Sequence, residues 1–222
     1  MGRSVTEPSY WERVHTQKYD GKDWTKKPSI FAEEVIKYFP NSGLVLELGA
    51  GQGQDSTFFV QKGYSVISSD KEVSIIERAD ANAHDFFEGS YGPMRFQVVD
   101  LEKRFPFGNN HFDIVYAHLS LHYFNIETTQ QIFSEIYRVL KPSGVLGFLV
   151  NSVNDPEYGT GEQLGDSYFA TEGTRKRYFS VESAKEFTKE FKTILCDNKG
   201  ETYKDREKDV HNLIRYVGQK IV

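Results

Sequence analysis

Short apolar runs alternate along this chain with stretches of helical period. The runs at 44–48, 64–69, 95–99, 112–118 and 145–150 are brief and bounded by turn residues, as buried strands are. Between them, residues 30–39, 57–62, 72–83 and 126–140 carry apolar side chains at helical spacing. Ile30, Phe31, Val35, Ile36 and Phe39 trace one such stripe between Pro28 and Pro40. Asp55 or Ser56 is expected to cap the helix at 57–62, and Lys141-Pro142-Ser143-Gly144 to stop the one at 126–140. Regular alternation of strand and helix requires crossover connections. The pattern therefore predicts a parallel sheet covered by helices on both faces, with ligands beyond the carboxyl ends of its strands.

The rhythm breaks twice. Residues 1–28 are polar, with Tyr10, Trp11, Tyr19 and Trp24 scattered among charges. Residues 151–179 are polar, contain glycines and are long for a structureless connection. Segments 1–28 and 153–179 are expected to act as an arm and a lid-like insertion that together roof the site. Tyr10, Trp11 and Trp24 in one, and Tyr158, Tyr168 and Phe169 in the other, offer apolar cover. Tyr178 either faces substrate or packs. A helix at 181–191, capped by Ser180, and a closing pair of strands at 194–197 and 210–217 complete what reads as one domain over 1–222.

Composition narrows the classes. A chain of 222 residues, 38% hydrophobic and 14% aromatic, is large enough to bury a core without staples. The net charge of −5 gives no basic surface, so nucleic acid is not an expected partner. The single cysteine, Cys196, excludes an internal disulfide framework and a cysteine zinc cluster, fits a reducing cytoplasm, and is expected in the core. No apolar run approaches the ~18 residues of a membrane span. Gly2 and Thr6 match a short acylation pattern, but no basic cluster accompanies them and no anchor is expected.

The most informative stretch is V-L-E-L-G-A-G-Q-G-Q-D-S at 45–56. A dinucleotide fingerprint would need a third glycine where Gln54 stands, and a phosphate-binding loop would need a following G-K-[ST]. What remains is an acid, Glu47, two residues ahead of glycines at 49, 51 and 53. Such a loop can wrap a ligand that lacks a pyrophosphate, and a carboxylate beside it suits a cationic amine. Asp70 ends the second strand, where an acid takes both hydroxyls of a ribose. Asp100 ends the third, placed to accept from the exocyclic amine of a base. Amine, ribose and adenine acceptors at three successive strand ends describe S-adenosylmethionine.

With V-L-E-L-G-A-G-Q-G (45–53), S-V-I-S-S-D (65–70), V-V-D-L (98–101), F-D-I-V-Y-A-H-L-S-L-H-Y (112–123) and L-K-P-S-G-V-L-G-F (140–148), the chain resembles the class I S-adenosylmethionine-dependent methyltransferases from about Ile30 onward. The resemblance implies an α/β, Rossmann-like three-layer sandwich with a seven-stranded, mostly parallel sheet whose last strand is antiparallel. It also implies that Glu47, Gly49, Gly51, Asp70, Asp100 and His118 border the cofactor, with Ala50, Gln54, Lys71 and Leu101 beside them. W-E-R at 11–13, Trp24 and K-P-S at 27–29 resemble small-molecule methyltransferases of the tellurite-resistance and thiol or thiopurine kind, in which an N-terminal aromatic segment covers the cofactor.

The expected activity is therefore transfer of a methyl group to a small-molecule acceptor, leaving S-adenosylhomocysteine, by a cytoplasmic monomer or homodimer. A protein or RNA methyltransferase and a non-catalytic binding module are the alternatives. His118 and His122 frame A-H-L-S-L-H-Y without a third ligand at metal spacing, so no metal is expected. His122 is the candidate general base, or else a packing histidine. Arg175, Lys176 and Arg177 read as a solvated face that could instead meet an anionic substrate. In-line positioning in a dry site carries most of such a reaction, so catalytic residues leave little trace in sequence.

Overall fold

A computed structural model describes residues 8–19, 21–89, 92–171, 173–206 and 212–221. Gly2 and Thr6, and the expected start of the last strand at Val210, lie outside the described residues.

The strands are β1 (Leu44–Leu48), β2 (Ser65–Asp70), β3 (Met94–Val98), β4 (Phe112–His118), β5 (Leu140–Val150), β6 (Glu162–Gly165), β7 (Tyr168–Thr171), β8 (Thr174–Arg177), β9 (Phe191–Gly200) and β10 (Leu213–Lys220). The α-helices are α1 (Tyr10–Arg13), α2 (Ile30–Val35), α3 (Gln54–Gln61), α4 (Val73–Phe86), α5 (Ile126–Val139), α6 (Val181–Phe187) and α7 (Tyr203–Arg206). Seven strands form the main sheet in the order β3-β2-β1-β4-β5-β10-β9. β1 pairs in parallel with β2 and β4, and β10 runs antiparallel between β5 and β9. This is the Rossmann-like sandwich with an antiparallel last strand that the resemblance implied.

Successive residues of β1 enter opposite cores, as the pleat requires. Leu46 and Leu48 join Ile132, Phe133 and Ile136 of α5 and Ala184 of α6. Val45 joins Phe31 and Val35 of α2, Phe58 and Phe59 of α3, and Ala83 of α4. Helices thus cover both faces, and only the strand ends remain for a ligand. Cys196, on β9, packs against the first of these cores, and burial pushes its thiol up.

Several boundaries depart from the sequence reading. The helix expected at 57–62 begins at Gln54, directly after Gly53 at φ +79°, so Asp55 is no cap but a first-turn residue only 2% exposed. Its carboxylate accepts from the Ser29 amide (2.6 Å), the Ser29 hydroxyl (2.7 Å) and the Tyr116 hydroxyl (2.7 Å). Ser29 in turn caps α2 by accepting from the Ala32 amide. One buried acid therefore ties α2, α3 and β4 together beneath the strand ends. Asp55→Ala leaves three buried donors without their acceptor. A loss of about 3–5 kcal/mol is expected on the scale of a broken buried polar network, read as a lower urea midpoint at unchanged slope.

Residues 151–179 are not structureless: β6, β7 and β8 form a separate three-stranded antiparallel sheet. Each strand spans four residues, too short for alternation to register, and the β6–β7 turn holds Ser167 at φ +52°. β5 starts at Leu140 rather than 145, because the expected stop Lys141–Gly144 is a bulge in the strand, with Ser143 at φ +65°. α6 ends at Phe187, short of 191, where the Thr188 hydroxyl bonds back to the Ala184 carbonyl at 2.8 Å.

Candidate functional site

The carboxyl ends of β1, β2, β4 and β5 and the residues just after β3 open into one cavity of about 660 Å³, within the range that small ligands occupy. Its floor starts with the turn after β1. Gly49 and Gly51 sit at φ +70° and +56°, conformations that side chains resist, and the turn delivers the chain into α3. The Gly51 amide donates to Asp70 Oδ2 at 3.2 Å, while Asp70 Oδ1 accepts from the amides of Lys71 (2.7 Å) and Glu72 (3.3 Å). Burial raises the Asp70 carboxyl and these amides oppose the rise. Two carboxylate oxygens have about four lone-pair sites, so Asp70 keeps acceptor capacity for a ligand.

Glu47 is 2% exposed, and its carboxylate accepts from the Ser56 hydroxyl. Burial and the nearby Asp55 push its pKa well up. A buried acid lining a cavity is most stable as an anion when a cation arrives beside it. Asp100 behaves differently. Burial would raise its carboxyl, but the Glu102 amide, Lys71 at 3.6 Å and Lys103 at 3.3 Å hold it below the usual carboxylate range. Ile75, Val99 and Leu101 supply a buried apolar flank between Asp70 and Asp100.

Thus Glu47, Gly49, Ala50, Gly51, Gln54, Asp70, Lys71, Asp100, Leu101 and His118 all line one cavity, joined by Trp11 and Trp24 from the N-terminal segment. Three residues of this lining each carry a buried side-chain atom with no hydrogen-bond partner among the described residues: His15 Nδ1, Gln54 Oε1 and His118 Nε2.

Six expected residues lie elsewhere, and of these Tyr158, Tyr168 and Phe169, expected as apolar cover, do not line the cavity. His122 does not line the cavity: it is 1% exposed, and its Nδ1 accepts from the Asn151 amide at 3.3 Å. Burial, with Lys176 and His118 nearby, lowers its pKa to about 3. Tyr178 packs beneath the small sheet against Tyr158 and Phe169, its hydroxyl donating to the Glu157 carbonyl at 3.3 Å. Tyr10 stands beside Trp11 and against Gly173, outside the lining. Arg177, read as part of a solvated face, is 5% exposed. It donates to the carbonyls of Phe124 and Asp166. Arg175 and Lys176 do reach the cavity, Lys176 paired with Glu157.

An unfolded chain binds a proton at His122 near the ordinary value of 6.5, whereas the folded one resists it until about pH 3. Between those values the unfolded state holds more protons, so His122 contributes stability above pH 6.5 that is lost as pH falls. His122→Gln is expected to destabilise the fold at pH 7 by removing the hydrogen bond to Asn151. The gap to wild type should then narrow toward pH 4 in urea titrations. A gap independent of pH would show that the histidine is not held neutral.

The sequence reading passed over His15. Its ring lies against the glycine turn, so that a Cβ built on Gly51 would come within 2.8 Å of its Cε1. Its carbonyl accepts from Gln52 Nε2 (3.2 Å) and Arg78 Nη1 (3.3 Å), and burial together with Arg78 and Lys204 lowers its pKa to about 4. The available signal was spacing: Trp11 and His15 stand four apart, hence on one face of a helical segment. Tyr19 and Trp24 continue the roof, both ring faces meeting Lys204, and Trp11 meets Tyr123 edge-on at 4.6 Å.

No helix among the described residues is long and apolar enough to cross a membrane. Residues 45–144 match a family model described as a methyltransferase domain. An uncharacterised methyltransferase of Synechocystis sp. is 31% identical over 105 residues, covering 47% of this chain and 45% of its own length. Among solved structures, a Methanosarcina mazei S-adenosylmethionine-dependent methyltransferase superposes with a TM-score of 0.71 at 20% identity, covering 85% of this chain and 97% of that one. The 1,6-didemethyltoxoflavin-N1-methyltransferase of Burkholderia thailandensis, solved with 1,6-didemethyltoxoflavin and S-adenosylhomocysteine bound, gives 0.68 at 17% identity, covering 93% and 82%. The chain spans about half the length of the curated relatives it matches.

Proposed function

We propose that this chain, which carries a class I methyltransferase domain, transfers a methyl group from S-adenosylmethionine to a small-molecule acceptor. The observation that carries the reading is the convergence of Glu47, the Gly49–Gly51 turn, Asp70 and Asp100 on one cavity at successive strand ends. The residues fit the cofactor by a test of their own. Glu47 is a buried acid suited to a cationic amine, Asp70 has about one spare lone pair beside a glycine turn, and Gln54 Oε1 is buried without a partner among the described residues.

When bound, S-adenosylmethionine supplies a methyl group already activated on a sulfonium. The chain then has to bind, orient and dry the site. Glu47 and Gln54 would hold the amino-acid end, Asp70 the ribose hydroxyls, and Asp100 the base, for which Ile75, Val99 and Leu101 would supply an apolar flank. Gly49, Ala50 and Gly51 would give backbone close approach, with Lys71 at the rim. We assign His122 a positioning role, since its Nδ1 lone pair is engaged by the Asn151 amide and it stands outside the cavity.

Residues 10–19 and 21–26 and the β6–β8 sheet would roof the acceptor. Trp11, Tyr19, Trp24 and Tyr123 line the cavity from above, and Thr174, Arg175 and Lys176 border it from the sheet. Tyr10 and Tyr178 would brace this roof. A roof over a cavity of this size favours a small molecule over a polymer, and the Burkholderia structure shows that the fold can house one. We read the chain as one domain acting as a cytoplasmic monomer or homodimer. Incubation with methyl-labelled S-adenosylmethionine and a size-fractionated extract tests the choice of acceptor. Label is expected in the low-mass fraction; label confined to protein or RNA would contradict the assignment.

A further inference from the structure

The N-terminal arm is held from a second direction, by the connection between β9 and β10. β9 runs parallel to β5, since both pair antiparallel with β10, so it ends on the same side of the sheet as the glycine turn. The chain that follows carries α7 to the rim of the cavity. Reciprocal bonds stiffen this turn: Asp205 Oδ2 accepts from the Thr202 amide (3.1 Å) and hydroxyl (2.7 Å), and the Thr202 hydroxyl accepts from the Asp205 amide (3.2 Å). From it, the Tyr203 hydroxyl donates to the Pro28 carbonyl at 3.1 Å, at the base of the arm. Lys204 Nζ lies 4.1 Å from the centre of the Tyr19 ring and 4.5 Å from that of Trp24, within cation–π range of both. Tyr19 meets Trp24 edge-on at 5.0 Å and His15 edge-on at 5.4 Å, and His15 lies against Gly51. One row of rings thus joins α7 to the glycine turn.

We propose that Lys204 is a positioning residue that latches the arm over the cavity, and that ligand enters and leaves only when this latch opens. The inference rests on the methyltransferase reading above, which makes the ligand S-adenosylmethionine. The Tyr203 bond lies at the base of the arm and leaves its far end free to swing. Lys204 acts farther out, on the two rings that continue the row to His15. Both partners of its ammonium belong to the chain, so the latch closes whether or not the cavity is filled. Weakening it raises the open fraction of the free chain and of the liganded chain alike. Entry and exit then quicken together. Losing a contact made to the ligand itself acts mainly on exit and does not quicken entry.

Trp11 and Trp24 are the two tryptophans of the chain and both line the cavity, so stopped-flow tryptophan fluorescence with S-adenosylhomocysteine reads the arm directly. Lys204→Met keeps the length of the side chain and removes its charge. Two cation–π contacts are together worth about five- to thirtyfold, so association and dissociation should both quicken by about fivefold or more. Lys204→Arg, whose guanidinium also binds ring faces, should keep both rates near those of wild type. Tyr203→Phe loses only the bond at the base of the arm and should quicken both by less than Lys204→Met does. Dissociation that quickens without association, or rates that do not change, would overturn the latch. So would a Lys204→Arg chain as fast as Lys204→Met, or a lower urea midpoint with wild-type rates, which would leave Lys204 a role in the fold alone. A wild-type chain that shows no S-adenosylhomocysteine binding by calorimetry would overturn the function proposed above and the latch with it. Wild-type binding with the wrong pattern of rates overturns the latch only.

Discussion

Asp70→Ala is expected to weaken S-adenosylhomocysteine binding by about 10–150-fold for each charge-assisted hydrogen bond removed, from ~1.5–3 kcal/mol apiece and less than additively for two. The carboxylate has two tasks. Its Oδ2 accepts from the Gly51 amide and its Oδ1 from those of Lys71 and Glu72, so it fixes the glycine turn, and in the proposed function its remaining lone pair takes a ribose hydroxyl. Asp70→Asn is intermediate, because its one amide oxygen can still accept from Lys71 and Glu72 while its NH2 faces the Gly51 amide and the charge is gone. Calorimetry should rank wild type first, Asp70→Asn second and Asp70→Ala last. Three equal affinities would remove Asp70 from the site.

A larger effect is expected from Gly51→Val. The residue sits at φ +56°, where a β-branched side chain is strained by about 1–3 kcal/mol. Its Cβ would also press to within 2.8 Å of His15 Cε1. The His15 ring must shift off a turn that is itself strained, so S-adenosylhomocysteine affinity should fall by about a hundredfold or more, roughly 2.7 kcal/mol. Urea denaturation should show a smaller loss of stability than the binding loss implies. Binding retained at wild-type affinity would reduce the glycine turn to a connection without a ligand.

Where residues bury apolar surface in a regular rhythm, sequence conveyed the architecture. β4 begins and ends as the pattern Phe112–His118 requires, and α5 at Ile126–Val139 differs by one residue from its apolar stripe. The residues at the strand ends that line the cavity were legible for a related reason. A glycine turn and strand-end acids are fixed by backbone geometry that leaves a local signature. Side-chain partners distant in sequence leave none. Asp55 resembles a helix cap until Ser29 and Tyr116, brought in by other elements, claim its carboxylate. His118 and His122 stand four residues apart in one motif, and only the fold shows that the Asn151 amide engages one while the cavity receives the other. The β6–β8 sheet escaped notice because four-residue strands bury too little surface to impose alternation. His15 escaped because nothing near it in sequence marks the glycine turn it covers.

Hydrogen exchange with and without S-adenosylhomocysteine tests the central claim most directly, since it reads the cavity segment by segment. Ligand should slow exchange in residues 49–54, 70–72 and 99–102, and in residues 10–19, whose His15 lies on the glycine turn. Strand β9 and residues 214–220 of β10, which do not line the cavity, should be unchanged. Binding that leaves 49–54 and 70–72 unprotected would place the ligand elsewhere and contradict the site described for this chain.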